Sequence, residues 1–267
     1  MVRAVVAGIG GRMGSRIGQL VHETEGFELI GAFEAPGHSA VGEDIVAAIG
    51  GLPTGRRVGA GLAEVLAGAD VVIDFTTAAA SLKHLEVAAE RRVPMVIGST
   101  GFSPSQVQEA QAFTRMIPCV LTPNMSVGVN VLFKVVAEVA RMLGTGFDVE
   151  ILEAHHRFKK DAPSGTALKL AQIIAQVLDR DLDQTGVFAR HGLIGERSDR
   201  EIGVQTLRGG DIVGEHTVMF AGLGERIELI HRAHSRDNFA HGALRAARWV
   251  VQQPPGLYDM QHVLGIK

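Results

Sequence analysis

Residues 2–14 read V-R-A-V-V-A-G-I-G-G-R-M-G, a short apolar run that breaks into glycines. A run that is apolar at nearly every position suits a parallel strand covered on both faces. Gly8, Gly11 and Gly14 follow in the spacing G-x-x-G-x-x-G, with Gly10 inside it. At a strand-to-helix turn, such glycines permit tight backbone geometry and let a pyrophosphate approach the helix N-terminus. Residues 15–23 have helical composition and residues 27–33 (F-E-L-I-G-A-F) read as the next strand. Together they close a βαβ unit of about 30 residues. Glu34 ends that strand 20 residues beyond Gly14, where a carboxylate can accept hydrogen bonds from an adenosine ribose. The same charge repels a 2′-phosphate, and Ala35 and Pro36 offer no cation to offset it; Arg12 is the nearest candidate. The loop therefore predicts a nicotinamide dinucleotide, with NADH favoured over NADPH.

Further strands are predicted at 69–75 (A-D-V-V-I-D-F), 93–97 and 118–121, separated by helical stretches at 78–91 and 103–113. Repeated βαβ units imply a Rossmann-like, doubly wound parallel sheet with right-handed crossovers. Ligands bind such sheets outside the carboxyl ends of the strands. Gly98, Ser99 and Thr100 follow one strand, and Thr122, Pro123, Asn124 and Met125 follow another, so both loops are candidates to flank the nicotinamide. The pattern then changes. A long apolar helix at 127–143 leads to a strand at 147–154, a helix at 166–178, and strands at 203–207, 215–220 and 226–232. The last two alternate polar and apolar residues, as half-exposed antiparallel strands do. A helix returns at 239–251. This predicts a second, α+β domain with a mixed or antiparallel sheet, whose open face is a candidate oligomer surface.

Composition bounds the partners. The chain has 267 residues, a net charge of −3 and 46% hydrophobic residues, which gives no reason to expect nucleic acid or an anionic membrane as partner. No uninterrupted apolar stretch of about 18 residues or more suggests a membrane span. One cysteine, Cys119, rules out an intrachain disulfide framework and a cysteine metal site; no metal is expected. With no signal-peptide pattern at its start, the sequence predicts a cytoplasmic protein.

The densest chemistry lies at residues 153–167, E-A-H-H-R-F-K-K-D-A-P-S-G-T-A. His155, His156, Arg157, Lys159 and Lys160 can hold a small polyanion and still supply a proton. Ser164, Gly165 and Thr166 fall where a helix begins, so exposed backbone N–H groups there make a carboxylate cradle. Hydride addition builds negative charge that a proton must quench, and His155 and Lys159 both qualify as the acid. Lys160 reads as a solvated charge, Arg157 as a brace for Glu153 or Asp161, and Cys119 as a buried thiol. His22, His38, His84 and His262 read as surface or satisfied core residues.

Taken together, G-x-x-G-R-M-G and E-A-H-H-R-x-K-x-D-A-P-S-G-T-A resemble the 4-hydroxy-tetrahydrodipicolinate reductase (dihydrodipicolinate reductase) family. The resemblance extends to D-F-T at 74–76, G-S-T-G-F at 98–102, N-x-S-V-G-V-N at 124–130 and R-x-G-D-I-V-G-E-H at 208–216. It implies hydride transfer from NADH or NADPH to a cyclic dicarboxylate in the diaminopimelate route to lysine. It also implies a cofactor domain at 1–126 completed by 236–267, and a substrate and homotetramer domain at 127–235. Carried over by position, His155 is a catalytic proton donor or acceptor and Lys159 a proton donor, while His156, Gly165 and Thr166 bind substrate. Gly8, Ile9, Gly10, Gly11, Arg12, Met13, Gly14, Glu34, Gly98, Ser99, Thr100, Thr122, Pro123, Asn124 and Met125 contact cofactor. Two departures weaken any preference for NADPH: Ala35 and Thr77 stand where some members carry arginine. Two other functions stay open. A second two-domain dehydrogenase of amino-acid metabolism, aspartate-semialdehyde dehydrogenase, needs a cysteine nucleophile, for which Cys119 is misplaced. A non-catalytic nucleotide sensor would use the glycine loop but would not need His155 and Lys159.

Overall fold

The computed structural model describes residues 1–266. The chain divides into two compact units, Met1–Val127 with Asp237–Lys267, and Gly128–Arg236. The first begins with strand β1 (Val2–Ala7), helix α1 (Arg12–Glu23), β2 (Phe27–Phe33), the short α2 (Leu62–Val65), β3 (Val71–Asp74), α3 (Ala78–Glu90), β4 (Met95–Ile97), α4 (Pro104–Phe113) and β5 (Pro118–Leu121). Sequence chemistry sets several boundaries. Strand β3 starts later than its apolar run predicts, because Asp70 is drawn to Arg3, accepting from its backbone N–H at 2.8 Å and from its guanidinium. Helix α4 opens on a capping box between Ser103 and Gln106 with proline inside its first turn, a strong start signal.

The second unit contains α5 (Val127–Leu143, its first residue in the first unit), β6 (Asp148–His155), α6 (Gly165–Val177), α7 (Leu182–Thr185), β7 (Gly186–Val187), β8 (Ile202–Arg208), β9 (Gly214–Ala221) and β10 (Arg226–Ala233). The sheet order is β10-β9-β6-β8-β7. Strand β6 runs parallel to β8 and antiparallel to β9, so the sheet is mixed. Side chains of paired residues share a face. Val149 is flanked by Ile202 and Phe220, and Ile151 by Val204 and Val218; these rows pack against α6 in one buried cluster. The next row on that face is Glu153, Thr206 and His216, and His155 then pairs with Arg208. The buried face therefore turns from apolar to polar at the carboxyl end of β6, and the candidate chemistry begins there. On the opposite face Leu152, Leu207 and Ile230 are exposed.

The chain then returns to the first unit with α8 (Asp237–Val250), β11 (Gly256–Tyr258) and α9 (Met260–Val263). All strands of its sheet are parallel, in the order β11-β5-β4-β3-β1-β2. Helices α1, α8 and α9 cover one face over Ala4, Val6 and Ile73, while α2, α3 and α4 cover the other over Val5, Ala7 and Val72. Because both faces are buried, the strands read as continuous apolar runs. The strand order reverses between β1 and β3, the position at which doubly wound sheets bind nucleotides. No helix among the described residues is long and apolar enough to cross a membrane.

Candidate active site

Parallel pairing puts the carboxyl ends of β1, β2, β3, β4 and β5 on one edge, so the glycine loop, Glu34 and both candidate flanking loops share it. The loop is shaped by what glycine lacks. Gly8 has φ +68°, and a Cβ on Gly14 would lie 1.9 Å from the Gly8 carbonyl oxygen. Only glycine at 14 lets α1 start this close to β1. The N-cap of α1, Gly11, supplies no side-chain cap, and the first turn carries no acidic residue. The first N–H groups of this helix are thus left to an external acceptor, which suits a pyrophosphate. Glu34 accepts from the Gly10 N–H at 2.8 Å through one oxygen and from the Ala35 N–H at 3.2 Å through the other. A carboxylate has about four acceptor sites, so ribose hydroxyls can still bind. These residues fit a dinucleotide.

The candidates on this edge differ in what they offer. Gly10, Gly11, Arg12, Thr100 and Pro123 are exposed. The side chains of Ile9 and Met125 are buried in the core and leave only main chain for a ligand; Met13 packs partly against the same core. Gly98 has no room for a side chain, because a Cβ would fall 2.3 Å from the Phe75 ring. Ser99, buried, shares a 2.5 Å hydrogen bond with Ser81. Thr122 donates to the Asn124 carbonyl oxygen, and the Asn124 side chain accepts from the Ser126 N–H at 2.9 Å, which fixes that turn. Thr77, one of the two departures from the arginine pattern, caps α3 by accepting from the Ala80 N–H. His38 is exposed, yet its ring lies 2.4 Å from where a Gly10 Cβ would sit. The signal for it was topological: the turn after β2 lies beside the loop after β1.

The second constellation is built from side chains. Glu153, fully buried, accepts from His155 Nδ1 at 2.6 Å, the Ser164 N–H at 2.9 Å, Thr206 Oγ1 at 3.2 Å and both Arg208 terminal nitrogens at 2.9 Å. Burial opposes ionisation of Glu153, but Arg208, His155 and the Ser164 N–H outweigh it and hold the carboxyl down at about 2. Burial lowers the His155 pKa, and the nearby Lys159 and Arg208 charges add to this against the pull of Glu153. His216, in the same row as Glu153, is forced by burial to about 3. Its Nε2 meets Ser164 Oγ at 3.2 Å, while its Nδ1 finds no hydrogen-bond partner among the described residues. Ser164 caps α6 by accepting from the Ala167 N–H, so Gly165 and Thr166 form the first turn of that helix. Lys159 Nζ lies 2.9 Å from Asp161, whose carboxyl is held below the usual carboxylate range by that contact.

One expectation changes. Arg157 braces neither Glu153 nor Asp161. Arg208 braces Glu153 and Lys159 pairs with Asp161, because the pairing of β6 with β8 sets Arg208 beside His155. The contacts of Arg208 and His216 with Glu153 arise from strand register, which no local sequence pattern reveals. Lys160 is exposed, and the His156 Nδ1 atom is buried without a partner among the described residues. His84 and His262 are satisfied by Asp74 at 2.7 Å and Asp259 at 2.6 Å. Cys119 is fully buried within β5, and burial pushes its thiol far up, which excludes a thiolate nucleophile there.

A doubly wound unit with an open helix N-terminus, joined to a mixed-sheet unit bearing a Glu-His-Lys cluster, defines a nicotinamide-dependent oxidoreductase. The family profile described as "Dihydrodipicolinate reductase, N-terminus" matches residues 2–125, and "Dihydrodipicolinate reductase, C-terminus" matches 128–264. The chain belongs to the dihydrodipicolinate reductase family. It is 67% identical over 267 residues to the 4-hydroxy-tetrahydrodipicolinate reductase of Syntrophobacter fumaroxidans, and 58% identical over 267 residues to that of Syntrophus aciditrophicus; each match covers 100% of both chains. Among solved structures, the dipicolinate-bound dihydrodipicolinate reductase from Paenisporosarcina sp. TG-14 is similar with a TM-score of 0.75 and 27% identity over 97% of each chain.

Proposed function

We propose that this oxidoreductase reduces (hydroxy-)dihydrodipicolinate to tetrahydrodipicolinate in the diaminopimelate route to lysine, acting in the cytoplasm. The observation that carries the reading is the cluster at the end of β6, where Lys159, His155 and the first turn of α6 stand within one short stretch. When bound, a reduced nicotinamide would supply a hydride, two electrons with one proton, to a ring carbon of the conjugated imine that remains once the hydroxy form has lost water. The protein supplies the matching proton. Lys159 is the proton donor, since Asp161, 2.9 Å from its Nζ, orients that nitrogen. His155, whose pKa burial lowers from the ordinary histidine value, presents Nε2 to the substrate. The N–H groups of Gly165 and Thr166 hold one carboxylate, and His156 helps to hold the dianion.

Residues 1–126 with 236–267 serve the cofactor, and residues 127–235 serve the substrate and assembly. Glu34 with Ala35 and Pro36 beside it supports NADH over NADPH. The exposed apolar side chains of Leu152, Leu207 and Ile230 on the open sheet face support a homotetramer. Cofactor oxidation, followed with each nucleotide and enzymatically generated hydroxy-tetrahydrodipicolinate, tests the reading. Turnover with both, at a higher kcat/KM for NADH, is expected. Tight nucleotide binding without turnover would leave a sensor instead.

A further inference from the structure

Glu153 touches neither cofactor nor ring in the reading above, yet it is the most heavily hydrogen-bonded group of the second site. We propose that Glu153 is a positioning residue that sets both halves of the substrate site, fixing the tautomer of His155 through one oxygen and the first turn of α6 through the other. The inference rests on the proposed reduction and assigns the residue that organises it.

The geometry divides cleanly between the two oxygens. Oε2 receives His155 Nδ1 at 2.6 Å, and Oε1 receives the Ser164 N–H at 2.9 Å and Thr206 Oγ1 at 3.2 Å. Arg208 spans both, one terminal nitrogen on each. An ionised carboxylate only accepts, so the Nδ1 of His155 must carry the hydrogen. Neutral His155 then has a bare Nε2, an acceptor and not a donor. The position next to it is kept clear, because a Cβ on Gly214 would lie 3.1 Å from that atom. This division sharpens the roles of the two candidate acids: Lys159 delivers the proton, and His155 accepts a hydrogen bond or a proton at Nε2.

Arg208 makes the arrangement possible. Burial raises the pKa of the Glu153 carboxyl, and the Arg208 guanidinium on β8 does most to keep it ionised. The charged and titratable groups facing His155 are then Glu153 on its own strand, Arg208 on β8, His216 on β9 with its ring centroid 5.3 Å away, and Lys159 on the following loop. Through the Ser164 N–H, the same carboxylate holds the residue that caps α6. One side chain therefore places the imidazole and the carboxylate cradle at a fixed mutual distance. Catalytic groups need this kind of support to hold productive geometry.

Imidazole 15N NMR on the full-length wild-type protein reads the tautomer without substrate or cofactor. Hydrogen on Nδ1 and a bare Nε2 at neutral pH are expected for His155; the reverse assignment overturns the proposal while leaving the reductase reading intact. Glu153→Gln keeps an acceptor at Oε1 for Ser164 and one Arg208 nitrogen but turns an amide N–H₂ toward His155 and the other Arg208 nitrogen. It is expected to invert the tautomer and lower kcat roughly ten- to a thousandfold. In a His155→Ala background the same change should leave kcat nearly unmoved, since the imidazole through which Glu153 acts is gone. An equal kcat loss in both backgrounds would mean that Glu153 does not act through His155. Absence of turnover in the wild type would sink the reductase reading, and the tautomer measurement would still decide this one.

Discussion

The glycine loop of the first unit and the β6 end of the second do opposite things with side chains. At the loop, the proposed cofactor site is shaped by atoms that are missing: Gly8, Gly11 and Gly14 leave the main chain and an uncapped helix N-terminus open. At β6, the proposed substrate site is shaped by charges that are present and mutually satisfied, with a buried carboxylate held by arginine, histidine and a helix cap. The first site should therefore be broken by adding an atom, and the second by removing a charge.

The largest effect tests the second half of that contrast. Lys159→Ala is expected to lower kcat by roughly two to four orders of magnitude with cofactor affinity unchanged. Steady-state kinetics with direct cofactor titration separates the two; an unchanged kcat with raised KM would make Lys159 a binding group instead. The complementary change adds one methyl group. Gly14→Ala puts a Cβ 1.9 Å from the Gly8 oxygen, which no side-chain rotation relieves. A loss of about 1–3 kcal/mol in stability is expected from overpacking, along with weakened binding of either nucleotide. Calorimetric titration and urea unfolding check both.

A subtler break concerns cofactor choice. Glu34→Ala should weaken NADH roughly 10- to 150-fold, the worth of one hydrogen bond to a charged group, and NADPH by less. Equal loss for both in fluorescence titration would remove ribose recognition from Glu34. Acid should act on the second unit through its buried groups. The His216 pKa lies at about 3 against 6.5 when exposed, so the folded state binds its proton less readily than the unfolded one. Its contribution is complete above 6.5 and falls with pH towards 3, at up to about 1.4 kcal/mol per pH unit. Glu153 adds a second loss between 4.5 and about 2. Urea unfolding across this range should show a shallower decline for His216→Phe. Smallest is Thr77→Ala, which removes the α3 cap: about 1 kcal/mol of stability, measured by thermal unfolding, and no change in the ratio of NADH to NADPH affinity.

Much of the fold was legible because both-face burial writes itself into the strands as continuous apolar runs, and the helix at Val127–Leu143 could be bounded from its sequence. The three-residue β11 was not: Gly256–Tyr258 is too short to carry a period, and its place beside β5 comes from tertiary packing. The site divided the same way. His155, Lys159 and the glycines stand in contiguous motifs. Arg208 and His216 lie more than fifty residues from Glu153 and join it only through strand register, and His38 reaches the glycine loop only through the order of the sheet.

The first unit is also divided in time. Strands β1 to β5 leave the ribosome before the second unit, whereas α8, β11 and α9 follow it. Ala240, Ala243, Leu244 and Val250 of α8 are buried against the sheet face that holds Val6 and Ile73. Until they arrive, that apolar face and the β5 edge lack their native cover, so a nascent chain carries a sticky, half-built nucleotide fold through the synthesis of the whole second unit. Chaperone dependence of the newborn protein should accordingly peak in that interval and fall once α8 has emerged.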